Sequence, residues 1–291
     1  MSDAANTASP RAGAFGHLGH VLRENPVTVV AFGLFLLIVG CAIFGPALVP
    51  YDPLASNAEQ VLKPPSWAHW FGTDALGRDV FSRVIVATQL DLTISVAAVA
   101  ISFVIGSVLG GVAGYWGGLI DAVLNRLLDT IMAFPLFVLA MGIVAALGNT
   151  IENIIYATAV INVPFYARLV RAEVNIRRNS GFAQAARLAG NSDLRVLAFH
   201  LFPNALPAMM VQVSLNLGWA ILNAAGLSFI GLGVRPPTPE WGIMVAEGAN
   251  YIVSGEWWLA LFPGLWLMLA VFTFNLLGDG MRDLVDPRKR S

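Results

Sequence analysis

Six stretches of this chain, near residues 27–49, 92–115, 127–148, 153–169, 206–232 and 258–278, are apolar and almost free of charge. A helix needs about 20 such residues to cross a hydrocarbon core of about 30 Å. In that environment every backbone amide must be satisfied within its own segment, so runs of this length read as spanning helices. The fourth is the shortest and contains Pro164. Composition agrees: 57% of the 291 residues are hydrophobic and only 12% are charged, against about 25% charged in soluble domains. Those proportions exclude a disordered chain, a disulfide scaffold and a nucleic-acid-binding module. The chain reads as an all-α membrane protein with six transmembrane helices.

Lys and Arg accumulate in cytoplasmic connections and so set the orientation. On one side fall Arg11, Arg23, Arg126, Arg168, Arg171, Arg177, Arg178, Arg187, Arg195, Arg282, Arg288, Lys289 and Arg290. Lys63, Arg78, Arg83 and Arg235 fall on the other. With 13 of 17 basic residues on the first side, both termini are expected in the cytoplasm. The expected organisation is a cytoplasmic tail at 1–26, a first helix at 27–49, an external segment at 50–91, a five-helix core at 92–280 and a cytoplasmic tail at 281–291. Within the core, residues 170–205 form a long cytoplasmic connection. The first 16 residues, rich in Ala, Ser and Gly, read as a disordered tail. No small-residue cleavage site follows the first span, which is expected to remain as an anchor. Cys41 ends an Ile38-Val39-Gly40-Cys41 box of the lipidation type, but the apolar run continues to Val49, so it reads as a small residue in mid-helix.

Little in the chain suggests catalysis. Lys occurs only at 63 and 289, neither behind a Gly-rich loop, so no phosphate-binding G-x-x-x-x-G-K-[ST] motif exists here. His17, His20, His69 and His200 are scattered and there is one Cys, so no metal site is expected. Gly226-Leu227-Ser228-Phe229-Ile230-Gly231 is one residue too long for a nucleophile elbow. No catalytic, cofactor-binding or metal-ligating residue is singled out. The span interiors lack Asp, Glu, Lys and Arg near mid-depth; Asp129 sits at the start of the third span and Asp279 just beyond the sixth. That argues against proton coupling, which uses intramembrane ionisable groups, while sodium coupling stays open. Asn162, Gln212, Asn216, Asn223, Thr273 and Asn275 have two readings, lining for a polar path or interhelical hydrogen bonding, and the residues alone do not choose. Gly106, Gly110 and Gly114, with Gly118 a turn further on, lie on one helix face and predict close packing against another helix.

The connection at 181–205 is the most informative segment. Phe182, Ala185, Ala186 and Ala189 make a small apolar face on a short helix. Gly190 ends it, Asn191 or Ser192 can cap a second helix, and Pro203 is expected to stop that one. A face built of alanine admits a partner surface closely; the plainer alternative is a linker lying along the membrane.

These residues resemble the "EAA" loop of bacterial binding-protein-dependent ABC importers, with Gln184, Ala185, Ala186 and Gly190 in its first half and Phe202-Pro203 near its end. Gln184 replaces the usual Glu and removes a charge. Phe71-Gly72-Thr73-Asp74-Ala75-Leu76-Gly77-Arg78-Asp79-Val80-Phe81-Ser82-Arg83 is similar to the G-T-D-x-x-G-R-D-x-x-S-R signature of peptide/nickel permeases, specifically their C-type subunit. Further matches are Arg126 and Asp129 before Phe134-Pro135, Tyr166 to Arg171, Leu227 to Gly233 followed by Pro236-Pro237-Thr238-Pro239-Glu240-Trp241-Gly242, and Asn275 to Asp283 with Asp286-Pro287-Arg288. Gln89-Leu90-Asp91-Leu92 departs from the family pattern. The resemblance runs in order over about residues 20–290.

That resemblance implies the ABC importer type I permease fold and a passive half-channel in the inner membrane. It implies a B-type permease as partner, two cytoplasmic ATPase subunits that carry the ATP and Mg, and an external solute-binding protein. No cofactor is implied on this chain. Family members carry dipeptides, oligopeptides, nickel complexes or glutathione. Phe182, Gln184, Ala185, Ala186, Arg187, Gly190, Arg195 and Pro203 would form the ATPase-coupling loop, with Arg187 and Arg195 pairing with acidic groups on the ATPase. Gly72, Thr73, Asp74, Gly77, Arg78, Asp79, Ser82 and Arg83 would form an external motif, read first as a charge cluster that satisfies itself and second as a face for the binding protein. The competing class is a stand-alone carrier or channel for a small polar solute.

Overall fold

The computed structural model describes residues 26–285. The expected disordered tail, His17, His20, Arg288, Lys289 and Arg290 lie outside the described residues. Among the described residues ten α-helices follow in order: α1 (Pro26–Leu48), α2 (Val80–Trp116), α3 (Gly118–Met132), α4 (Leu136–Leu147), α5 (Ile151–Arg177), α6 (Gly181–Leu188), α7 (Asp193–Val196), α8 (Phe202–Phe229), α9 (Trp241–Ala249) and α10 (Trp258–Val285). Five are long and apolar enough to cross a membrane, and six spans result when α3 and α4 count as one bent pair.

Three boundaries differ from the sequence expectation, each for a physical reason. The second span does not begin at 92: α2 starts at Val80, where the Asp79 carboxylate caps it by accepting from the Ser82 N–H at 2.8 Å. Arg83 and Asp91, read as loop residues because they are charged, are therefore helical and buried. The third span is not one helix over 127–148. It is broken at Pro135, which has no N–H to continue α3, and its two halves meet at 87°. At 12 residues, α4 rises only about 18 Å, short of a full crossing by itself. Nor does Pro203 stop the helix before the fifth span. A π turn at Leu197–Leu201 joins α7 to α8, so that Asp193–Phe229 runs on as one helical unit. Pro203 falls in the first turn of α8, where its missing amide and fixed φ are tolerated.

The centre of the bundle is the α2–α5 contact. A Cβ on Gly106 would stand 2.6 Å from that of Tyr166, and one on Gly114 2.6 Å from the Arg171 carbonyl. Between them, a Cβ on Gly110 would land on the Ala167 carbonyl. The four-residue glycine spacing thus matches a helical step on α5 and lets the two backbones touch. Gly118 does not belong to this face: with Gly117 it forms the turn between α2 and α3, at φ +56° and +67°, and faces open space. Two ion pairs pin α3 to α5, Asp121 with Arg171 and Asp129 with Arg168 at 2.6 Å. A second core joins α1, α2, α9 and α10 around Ile38, Trp241 and Phe274.

Candidate functional site

Helix α2, about 55 Å long at 37 residues, carries one motif at each end. At its last turn sits the 181–205 loop. Ala183 and Ala186 of α6 are buried with Val170, Val174 and Val196 against Tyr115. Ala183 and Ala186 turn inward, while Phe182, Ala185 and Ala189 of the apolar face expected to admit a partner are exposed. Gly190, at φ +85°, closes α6 in a Schellman turn: its N–H donates to Arg187 O at 2.9 Å and the Asn191 N–H to Ala186 O at 3.2 Å. The other face is open, with Phe182 45%, Leu188 89%, Leu194 66% and Phe199 73% exposed.

Tyr115 ties this loop to α2. Its hydroxyl donates to Asp193 and accepts from Arg187 Nε at 3.1 Å, and the Arg187 guanidinium lies over its ring at 5.3 Å. Arg187 also donates to Arg178 O at 3.0 Å, and Arg178 donates to the terminal carbonyls Gly114 O and Tyr115 O of α2. Arg187 is thus engaged within the chain, while Arg195 is exposed. Gln184 donates to Asn179 O at 3.0 Å, which places its amide at the start of α6.

At the other end of α2 the 71–83 motif folds into a compact turn. The Asp74 carboxylate accepts from the Leu76 and Arg78 N–H groups at 2.9 Å each and from Arg78 Nε at 2.7 Å. Asp79 accepts from the Ser82 hydroxyl at 2.7 Å and meets His69 Nδ1 at 2.8 Å. Thr73 accepts from the Lys63 N–H at 2.8 Å, while a side chain on Gly72 or Gly77 would strike the backbone of Lys63 or Asn57. Arg83, 1% exposed, donates through Nη1 to Pro53 O and Pro237 O at 3.2 and 3.3 Å, clamping two separate loops to the first turn of α2.

Two features here lay beyond sequence reasoning. Glu247 of α9 approaches both Arg78 and Arg83, and the buried Asp91 carboxylate accepts from the Trp241 N–H at 3.2 Å beside the buried Glu240. The Trp241 indole donates to Val84 O at 3.0 Å. Burial pushes the Glu240 carboxyl above its ordinary range, although its own cap bond from the Ile243 N–H at 2.8 Å pulls the other way. The signal was present in part: Glu240 and Trp241 stand in a matched motif, and Asp91 stands where the chain departs from one.

The polar amides of the spans bond within their own helices. Asn162, Asn223 and Asn275 each return the amide to the carbonyl four residues earlier, on Thr158, Trp219 and Val271. Gln212 donates to Asn216 on the same helix at 2.9 Å. These bonds are intrahelical; a helix-crossing bond is made by the Ser214 hydroxyl, which donates to Phe274 O at 2.6 Å.

A bundle of apolar helices long enough to cross a membrane, with an apolar loop left open at one end, fits a membrane permease component. Residues 106–291 match the family model described as the binding-protein-dependent transport system inner membrane component, and residues 18–65 that of the N-terminal TM domain of oligopeptide transport permease C. The chain is 44% identical over 268 residues to a probable D,D-dipeptide transport system permease protein of Escherichia coli, covering 92% of this chain and 90% of the relative. It is 40% identical over 270 residues to the dipeptide transport system permease protein of Alkalihalophilus pseudofirmus, covering 93% and 88%. A glutathione transport system permease protein of Pectobacterium atrosepticum is 40% identical over 274 residues, covering 93% and 89%. The chain belongs to the binding-protein-dependent transport system inner membrane component family, and it is a multi-pass protein of the inner membrane.

Proposed function

We propose that this chain is the C-type permease subunit of an ATP-driven importer for di- or oligopeptides, with both termini in the cytoplasm. It pairs with a B-type permease, receives solute from an external binding protein, and docks two ATPase subunits that hold the ATP and Mg; the chain itself binds no cofactor and is not an enzyme. The observation that carries this reading is the 181–205 loop, whose apolar residues Phe182, Leu188, Leu194 and Phe199 are open to a partner while Tyr115 fastens it to α2. An apolar patch of this kind at a loop end marks an interaction site. Peptide as solute is supported by the names of the relatives, two of which carry dipeptide in their titles.

Here the permease is passive. Closure of the ATPase dimer displaces α6, the Schellman turn at Gly190 keeps α6 and α7 at a set angle, and Tyr115 passes the displacement to α2. Purification of the tagged chain from its native membrane tests the assignment. Recovery with a second permease and two ATPase subunits is expected. Recovery of the chain alone, with solute flux independent of ATP, would support a stand-alone carrier instead.

A further inference from the structure

Between the 71–83 motif and α9 lies a cavity of about 230 Å³, lined among others by Asp74, Arg78, Arg83, Glu247, Asn250 and Tyr251. Its polar wall is unusually committed. The Arg78 and Arg83 side chains are 5% and 1% exposed. Arg83 uses Nη1 on Pro53 O and Pro237 O and turns Nε toward Asp74 at 3.6 Å, which leaves Nη2 buried with no hydrogen-bond partner. A buried donor without an acceptor is costly, so Arg83 Nη2 is placed to gain from an acceptor brought to it.

The acceptor nearest at hand is Glu247. Its Oε2 lies 4.0 Å from Arg83 Nη2 and 3.9 Å from Arg78 Nη2, just outside hydrogen-bond reach of both. Glu247 is also the most exposed of the four charged side chains, with 37% of its side chain exposed against 13% for Asp74 and less for the arginines. Two guanidinium nitrogens from different residues thus converge on one point, a geometry that suits a planar two-oxygen acceptor. Charge selects among such acceptors. Asp74 offsets one of the two arginines, so a single negative charge completes the balance, which fits a carboxylate and disfavours a dianion.

We propose that this cavity is a carboxylate-binding site, in which Glu247 is the internal occupant and a carboxylate from outside the chain displaces it. The proposal rests on the importer reading, which supplies two sources of that group: the C-terminal carboxylate of the transported peptide, or an acidic side chain of the binding protein.

The complete importer in lipid nanodiscs is titrated with labelled glycylglycine, with glycylglycine amide, and separately with the unloaded binding protein. Glu247→Gln removes the internal competitor and tightens one titrant by about threefold, the scale of a weak, partly exposed ion pair. Arg83→Lys, which keeps the charge but not the fork, weakens the same titrant. A gain with glycylglycine and none with its amide identifies the peptide carboxylate; a gain with the binding protein alone identifies its acidic side chain. An equal gain with the amide, or a Glu247→Gln complex that assembles yet binds both titrants no better than wild type, overturns the proposal. ATP-stimulated uptake by the wild-type complex is measured in the same preparation. Its absence would count against the importer reading, whereas uptake without the gain counts against the cavity alone.

Discussion

Gly190 and Glu240 are each restricted in what can replace them, for opposite reasons. Gly190 stands at φ +85° with open space where a side chain would go, so only backbone conformation restricts it. A β-branched residue there is strained whatever its surroundings. Gly190→Val is expected to leave assembly intact while lowering ATP-driven uptake severalfold per ATP hydrolysed; equal coupling ratios in mutant and wild type would show that the turn carries no motion. Glu240 is instead constrained by burial, with Asp91 across from it. Its carboxyl holds its proton above the ordinary value of 4.5, so the folded state binds more protons than the unfolded one. The stability this contributes is full below that ordinary value and is lost as pH rises through the window above it. Glu240→Gln keeps an acceptor for the Ile243 N–H and needs no proton. Its unfolding temperature is therefore expected to fall less than that of the wild type between pH 5 and pH 8, and parallel curves would refute the assignment.

The element that organises the bundle is α2, through its glycine face on α5. Gly110→Val drives a side chain into the Ala167 carbonyl, where neither backbone has room to give. Overpacking of this kind costs about 1–3 kcal/mol or more, so the yield of assembled complex should drop sharply, whereas Gly111→Ala, on the same helix and meeting only Leu197 at ordinary contact distance, should affect assembly far less. Equal yields for the two variants would mean that the contact is not tight. The glycine spacing made this packing legible in advance, as the apolar runs did the number of spans, because both signals are local and periodic. The start of α2 was not legible. Arg83 and Asp91 resemble loop residues within any short window, and their partners, Pro237, Glu247 and Trp241, lie about 150 residues away. The continuity of α7 with α8 was hidden similarly, since Pro203 signals a stop unless the preceding turn is widened. In the 181–205 loop the turn at Gly190 could be read from sequence, while the inward face could not, because Tyr115, which anchors it, belongs to a different element.

At the scale of the whole molecule, α2 is one continuous helix joining the 71–83 motif to the 181–205 loop. One end is bound by Tyr115, Arg178 and Arg187 to a loop with an open apolar face; the other is capped by Asp79 and clamped by Arg83 to two distant loops. Loss of the Tyr115 hydroxyl should loosen the first joint without changing the second, so Tyr115→Phe is expected to lower ATP-driven uptake while leaving the level of assembled complex unchanged. The central claim, that this chain is a passive permease driven from outside itself, is tested most directly by uptake of labelled dipeptide into proteoliposomes, comparing the purified chain alone with the complete assembly, each with and without ATP. The account predicts uptake only with the complete assembly and ATP; sustained uptake by the single chain without ATP would contradict it.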